Sequence, residues 1–370
     1  MAVSGKMTKY RMVQLALEER IREGEFSGGS ALPPEHELAR TYHVGRNTVR
    51  RAVADLTARG LLAKQQGRAS RINRGGRAGE SAPPVSGRMA WLSVAPHAAL
   101  ADNALYFDFF RVMAALASAH NLRLDFISIS EPNWFEFYSA NEYLAVFIAG
   151  GGRKSFSKLD YERLSGIRNL IALDNAGDPP GRFCVSTDDC ESARLATRHL
   201  LEFGRRKIGF FCSAAQHTPV YWPFTERRRG YELALAEAQV PIRPEFIHYV
   251  RFHNLNYLLD ELRKEGDCLR EYDAVFAVTD LLAVLLVQLA REIRIKVPEE
   301  LSIIGFDGWP AAQYLSPRLT TLRHPVEDIV QAAFNLALRL HDKPDLAGQS
   351  ILLPGVLLPG ETTAPQGGTA

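Results

Sequence analysis

The chain has 370 residues, 46% of them hydrophobic and 23% charged, with a formal net charge of +2. This ordinary composition for a soluble globular protein allows two or three domains with substantial cores. No apolar run approaches the ~18 residues of a membrane span, and no basic-then-apolar leader opens the chain, so a cytoplasmic protein without a membrane partner is expected.

The small total charge hides a polarity. Residues 1–77 hold fifteen Lys/Arg against seven Asp/Glu, a net of +8, which leaves 29 against 35, a net of −6, for the remainder. A basic head on an acidic body points to a polyanionic partner for the head alone. Cys184, Cys190, Cys212 and Cys268 form no C-x-x-C pair and read as reduced thiols.

From the N-terminus, Tyr10, Val13, Leu17 and Ile21 recur at helical spacing, and Gly24 to Gly29 ends that helix. Glu35 to Tyr42 reads as a second helix with Leu38, Ala39 and Tyr42 inward, and His43-Val44-Gly45 as a turn. The helix from Arg46 places Val49, Ala52, Val53 and Leu56 on one face and Asn47, Arg50 and Arg51 on the other, with Arg46 and Thr48 near its start. A helix that is apolar behind and cationic in front, entered by a tight turn, suits a DNA major groove. Leu61 to Ile72 reads as a two-stranded wing turning at Gln66-Gly67, beside Arg68.

Residues 8–75 resemble the winged helix-turn-helix of GntR-type transcription regulators, including the LP-x-E entry at Leu32-Pro33-Pro34-Glu35. The resemblance implies operator DNA as partner, with Arg46, Thr48 and Arg50 as recognition-helix contacts and Gly67 at the wing tip. Asn47 and Arg68 complete the expected DNA-binding set. Pro34 and Gly45 stand where that family usually has serine, so two capping or phosphate-binding hydroxyls are missing.

The stretch from Asn73 to Arg88, rich in Gly, Pro, Ser and Arg, reads as a linker. The expected division is a head at 1–75, a linker at 76–88, a body at 89–362 and a disordered tail at 363–370. In the body, short apolar runs alternate with helical stretches. Expected strands are Met89–Ala95, 122–129, Tyr143–Gly150, Asn169–Asp174, 183–187, 207–211, a short one near His248, 274–278 and 301–307. Expected helices are Tyr106–His120, Ser157–Leu164, Asp189–Phe203, Arg227–Ala238, Leu255–Lys264 and Asp280–Ile293. Regular alternation of this kind argues for parallel sheets covered on both faces. The break at Asp174–Arg182 and the closing strand, long helix and strand pair of Arg318–Leu358 favour two lobes.

FCVSTDDCESARLATRHLLEFGRRKIGFF, ERRRGYELALAEA, the segment from AVFAVTD to LSIIGFD, and YLSPRLTTLRHPVEDIVQAA resemble successive landmarks of LacI/GalR-type regulators. The fold class implied is α/β: an N-terminal winged helix-turn-helix plus a two-lobed, periplasmic-binding-protein-like domain. The whole is similar to GntR/LacI fusion regulators of carbohydrate use. A homodimer with a sugar or sugar derivative as effector is then expected, with no cofactor, no metal and no catalytic residue.

Ligands of α/β sheets sit at the carboxyl ends of strands. Asp280 and Asp307 follow two such strands, and Arg227 stands three residues before Gly230, where the resemblance places a ligand-reaching arginine. Arg and Asp can pair with adjacent hydroxyls of a polyol, while aromatic rings cover its C–H face. Phe252, Tyr106, Trp309 and Trp222 are the candidate rings. Asp189 reads as a helix cap. Gly150 to Ser155 falls short of a phosphate loop, there is no G-x-S-x-G, and the histidines have no metal-ligand spacing. Two alternatives remain: an enzyme on a DNA-binding head, and a body that only dimerises.

Overall fold

A computed structural model describes scattered positions from 13 to 20, residues 32–58, four residues of a small hairpin, and the body from 87 to 366. Short stretches of the body, at 94–103, 151–155, 175–176, 178, 215–221, 252–254 and 265, lie outside the described residues, as do 367–370. The chain divides into two compact units, Met1–Pro83 and Pro84–Ala370.

In the first unit, α1 (Glu35–Thr41) and α2 (Arg46–Ala58) are joined by a turn in which His43 takes the left-handed conformation, φ 51°. The turn therefore uses a histidine, not Gly45, for its positive φ. Val13, Leu17, Leu32, Leu38, Val49, Ala52, Val53 and Leu56 are buried together, with Ala39, Tyr42 and Val44 packed against them. Arg20 ties the leading segment to α1 through a 2.9 Å bond to the Tyr42 hydroxyl. Pro34 precedes α1 without a side-chain cap, as its missing hydroxyl implies. The strands β1 (Leu62–Ala63) and β2 (Arg71–Ile72) pair antiparallel as a wing.

The second unit holds two six-stranded sheets. Lobe 1 contains β3 (Arg88–Ser93), β4 (Arg123–Ser128), β5 (Ala145–Ala149), β6 (Leu170–Leu173), β7 (Phe183–Asp188) and β13 (Gln349–Pro354), in the spatial order β13-β7-β6-β5-β3-β4 and all parallel. Lobe 2 contains β8 (Ile208–Ala214), β9 (Ile247–Arg251), β10 (Ala274–Ala277), β11 (Ser302–Asp307), β12 (Thr320–Arg323) and β14 (Val356–Leu358), in the order β14-β12-β11-β10-β8-β9, with only β14 antiparallel. Central strands such as β5 and β10 are buried at every position, as sheets covered on both faces require.

The helices are α3 (Ala104–Ala119), α4 (Trp134–Ser139), α5 (Lys158–Ser165), α6 (Asp189–Glu202), α7 (Trp222–Glu237), α8 (Leu255–Lys264), α9 (Asp280–Glu292) and α10 (Val326–Asp342). α10 buries Ile329, Val330, Ala333 and Phe334 in lobe 1, where Phe109 and Met113 of α3 join the same core. α6 and α7 bury Ala193, Ala196, Tyr231 and Ala234 in lobe 2. The chain therefore crosses between lobes three times, at β7–α6, at β12–α10 and at β13–β14. The crossings are bonded to one another: Thr187 Oγ1 lies 2.7 Å from His324 Nδ1, and the Gly355 N–H donates to Ser192 Oγ at 2.8 Å.

The closing strands β13 and β14 complete one lobe each, as the two-lobed reading of the end of the chain implies. Two expectations change. α7 begins at Trp222, five residues before the expected start, because Pro223 in a first turn loses no intrahelical bond. The tail expected to be disordered from 363 is anchored as far as Gln366. Thr362 and Thr363 are buried, and the Arg205 guanidinium donates to the Ala364 carbonyl at 3.1 Å. The Gln366 N–H donates to Phe203 O at 2.8 Å, which closes the last described turn onto the end of α6.

Candidate functional site

A cavity of about 710 Å³ lies between the lobes, at the carboxyl ends of β10 and β11. Thr279, Asp307, Trp309 and His324 wall it on one side, and Asp108 and Arg111 of α3 on the other. Strand ends converge here because parallel strands leave their carboxyl-terminal loops on one edge of each sheet.

Under the cavity runs a buried charged network. Arg227, 4% exposed, donates from Nε to Asp189 Oδ1 at 2.8 Å and from Nη1 to Asp307 Oδ1 at 3.4 Å, and also to the Val278 carbonyl. Its guanidinium carbon lies 3.5 Å from the centroid of the Phe306 ring. Burial works against the arginine's charge, but Asp189 and Asp307 outweigh it and hold its pKa above the ordinary value. His324 Nε2 lies 3.5 Å from the same Asp307 oxygen. Burial lowers the histidine's pKa, and its contact with Asp307 and the nearby Asp174 raise it by more, so the net shift is upward. Asp174, at the end of β6, is pushed up to about 6, chiefly by burial.

Asp280 is placed differently from Asp307. Its side chain is fully buried and turned into the protein, accepting the Trp309 N–H on Oδ2 and the Thr321 hydroxyl on Oδ1, both at 2.5 Å. Burial, then the Asp307 charge, pushes its pKa up to about 7. The helix cap is supplied by the residue before it, since Thr279 Oγ1 accepts the Leu282 N–H at 3.3 Å. A similar exchange occurs at α6. Asp188, not Asp189, is the cap there, accepting the Glu191 N–H at 2.9 Å, which leaves Asp189 to pair with Arg227.

Among the candidate rings, Trp309 is 41% exposed and borders the cavity. Tyr106 lies in the first turn of α3, with its ring so close to Gly150 (φ 67°) that a Cβ there would overlap it. Trp222 opens α7 instead of lying in a loop, and its ring covers Gly177 of lobe 1. Phe252 lies outside the described residues. In the head, Arg46 and Arg50 of α2 are exposed and Thr48 is half-buried, while Val49, Ala52 and Leu56 of the same helix are buried. Nothing is described of the Asn47 side chain, nor of Gly67 and Arg68.

Sequence reasoning missed His324. The resemblance covers its segment, but no local signal marks a histidine that sits on a lobe crossing and faces a strand-end carboxylate. Among the described residues, no group of three or more His, Cys, Asp or Glu side chains could hold a metal ion. No helix among them is long and apolar enough to cross a membrane.

Residues 9–72 match the family of bacterial regulatory proteins of the gntR type, and residues 197–363 match the periplasmic binding protein-like domain. The HTH-type transcriptional regulator DegA of Bacillus subtilis is 33% identical over 246 residues, 65% of this chain and 70% of DegA. The arabinose metabolism transcriptional repressor of Geobacillus stearothermophilus is 26% identical over 381 residues, 96% of this chain and 98% of that repressor. The regulator GalR of Salmonella typhimurium is 35% identical over 162 residues, 43% of this chain, and the match spans only 45% of GalR. Among solved structures, the complex of the transcriptional regulator CelR with cellobiose superposes with a TM-score of 0.62 at 18% identity, covering 90% of this chain and 100% of CelR, a likeness of fold.

Proposed function

We propose a function from one premise: the chain belongs to the transcription regulators that join a GntR-type winged helix-turn-helix to a LacI/GalR-type, periplasmic-binding-protein-like domain. Its relatives include GalR and a repressor named for arabinose metabolism. In the proposed reading, this protein is a repressor in the cytoplasm. Its head binds operator DNA as half of a homodimer, and an uncharged sugar in the interlobe cavity changes that binding.

The observation that carries this reading is the meeting of Arg227, Asp307 and His324 at the floor of a cavity bordered by Trp309. Asp307 is the acceptor for sugar hydroxyls, Arg227 and His324 hold it in place, and Trp309 covers a C–H face. Arg227 already serves two carboxylates and a carbonyl, and the lining arginines Arg111 and Arg323 are outnumbered by Asp108, Asp280, Asp307 and Glu327, with Arg111 paired to Asp108, so the site disfavours a strongly anionic ligand. In the head, Arg46, Asn47, Thr48 and Arg50 address the major groove, with Gly67 and Arg68 at the wing. Symmetric operators call for two recognition helices about one helical turn apart, ~34 Å, hence the homodimer.

A thermal-shift panel of neutral monosaccharides, repeated with DNA selected by the protein from a random pool, tests the reading. At least one neutral sugar should raise the melting temperature of the wild type and not of Asp307→Ala. Arg50→Ala should lose selective DNA binding and keep the sugar response. Silence of the wild type toward the whole panel would overturn the effector assignment, and full DNA selectivity in Arg50→Ala the recognition face.

A further inference from the structure

Part of the cavity wall contributed by lobe 2 is the turn Asp307-Gly308-Trp309, where β11 ends. Two of its residues have positive φ, 124° at Asp307 and 72° at Gly308. An aspartate at such a φ is held there by its surroundings, since an L side chain rarely adopts it unaided. The surroundings that hold it converge on one carboxylate. Asp280 Oδ2 accepts the Trp309 N–H, and Oδ1 accepts the Thr321 hydroxyl. Thr321 Oγ1 in turn accepts the Gly308 N–H at 3.3 Å. A Cβ at Gly305 would overlap the Asp280 carboxylate, so β11 lacks a side chain at the place where that carboxylate lies.

Asp280 is free for this task because Thr279 already caps α9. We infer that Asp280 is a positioning residue: it fixes the Asp307-Gly308-Trp309 turn, and through it the carboxylate and the indole that face the cavity. Its importance for ligand binding rests on the function proposed above, whereas its hold on the turn does not.

The arrangement has a consequence for pH. Protonation turns one of the two accepting oxygens into a hydroxyl and weakens the hold, and the carboxyl's pKa of about 7 puts that change near neutrality. The titratable and charged groups around it are Asp307 on the turn, Arg323 and His324 at the end of β12, and Arg227, which donates to the end of β10; Asp174 lies beyond, in reach of His324 and Asp307. A variant that removes only the Asp280 titration separates it from these.

The test uses the full-length protein labelled with 5-fluorotryptophan and read by fluorine NMR without any sugar. The Trp309 resonance is assigned by its loss in Trp309→Phe. In the wild type it should move with pH, with a midpoint near 7, while the buried Trp91 and Trp134 resonances stay in place. In Asp280→Asn, which keeps the shape and one acceptor, the Trp309 resonance should be displaced and its pH response lost. Thr321→Val should displace it as well. The inference is overturned if Asp280→Asn and Thr321→Val leave the Trp309 resonance at its wild-type position, or if the same pH response persists in Asp280→Asn, which would assign the titration to His324 or Asp174. Because the signal needs no ligand, a cavity that takes no sugar leaves this result intact, and a latch that fails leaves the sugar panel to be judged by itself.

Discussion

Asp174, Asp280 and His324 all have folded-state pKa values above their ordinary ones. For the two carboxyls, the cost of ionising in the fold is absent below the ordinary value of 3.8 and grows until pH passes about 6 for Asp174 and about 7 for Asp280. For His324, stability is fully present below its ordinary value of 6.5 and is lost as pH rises through its raised one. All three effects have the same sign. Urea unfolding of the body should therefore show these groups lowering stability as pH rises through the window from about 4 to above 7, and Asp174→Asn and Asp280→Asn should each flatten part of that fall. An unchanged pH slope in both variants would contradict the buried placement of these carboxyls. The neighbours Asp188 and Asp189 make a second comparison. Asp188→Ala removes a helix cap and should cost about 1 kcal/mol. Asp189→Ala leaves Arg227 buried with less compensation and should cost about 3 kcal/mol or more by chemical denaturation.

The helices and strands of the body were readable because their burial is periodic and their lengths conventional. β5, β10 and β11 are short apolar runs because both faces of a parallel sheet are covered. α4 is not expected from the sequence because WFEFYS, six residues long, is too short to show a helical period; the start signal of Asn133 with Glu136 three residues on stands alone, and Asn133 makes no side-chain cap bond. Arg227 and Asp307 were placed by resemblance and do meet. The inward turn of Asp280 was not legible, since sequence gives a residue's place on an element and not the direction in which a short side chain makes its bonds. The head invites a prediction at this scale. Leu56 is fully buried in a core of few residues, and Leu56→Ala should cost ~2–5 kcal/mol there. Calorimetry should show the head's transition lowered or lost with the body's transition unmoved. A shift of the body's transition instead would mean that the two units do not unfold independently.

At the scale of the whole molecule, one of the three crossings between the lobes, β12–α10, borders the cavity. His324 stands on the β12–α10 crossing, borders the cavity, and touches both Thr187 on the β7–α6 crossing and the strand-end Asp307. A ligand that prefers one arrangement of the lobes can therefore act on the crossings directly, and a coupling of ~1–3 kcal/mol to DNA binding would be ordinary. The proposed regulator depends on that coupling between sugar and operator. It is tested most directly by fluorescence anisotropy of selected operator DNA, titrated with the full-length protein in the presence of each neutral monosaccharide that shifts its melting temperature. The account predicts a change in DNA affinity of about 5- to 150-fold for at least one such sugar, lost in Asp307→Ala. Equal DNA affinity with and without every such sugar would contradict it.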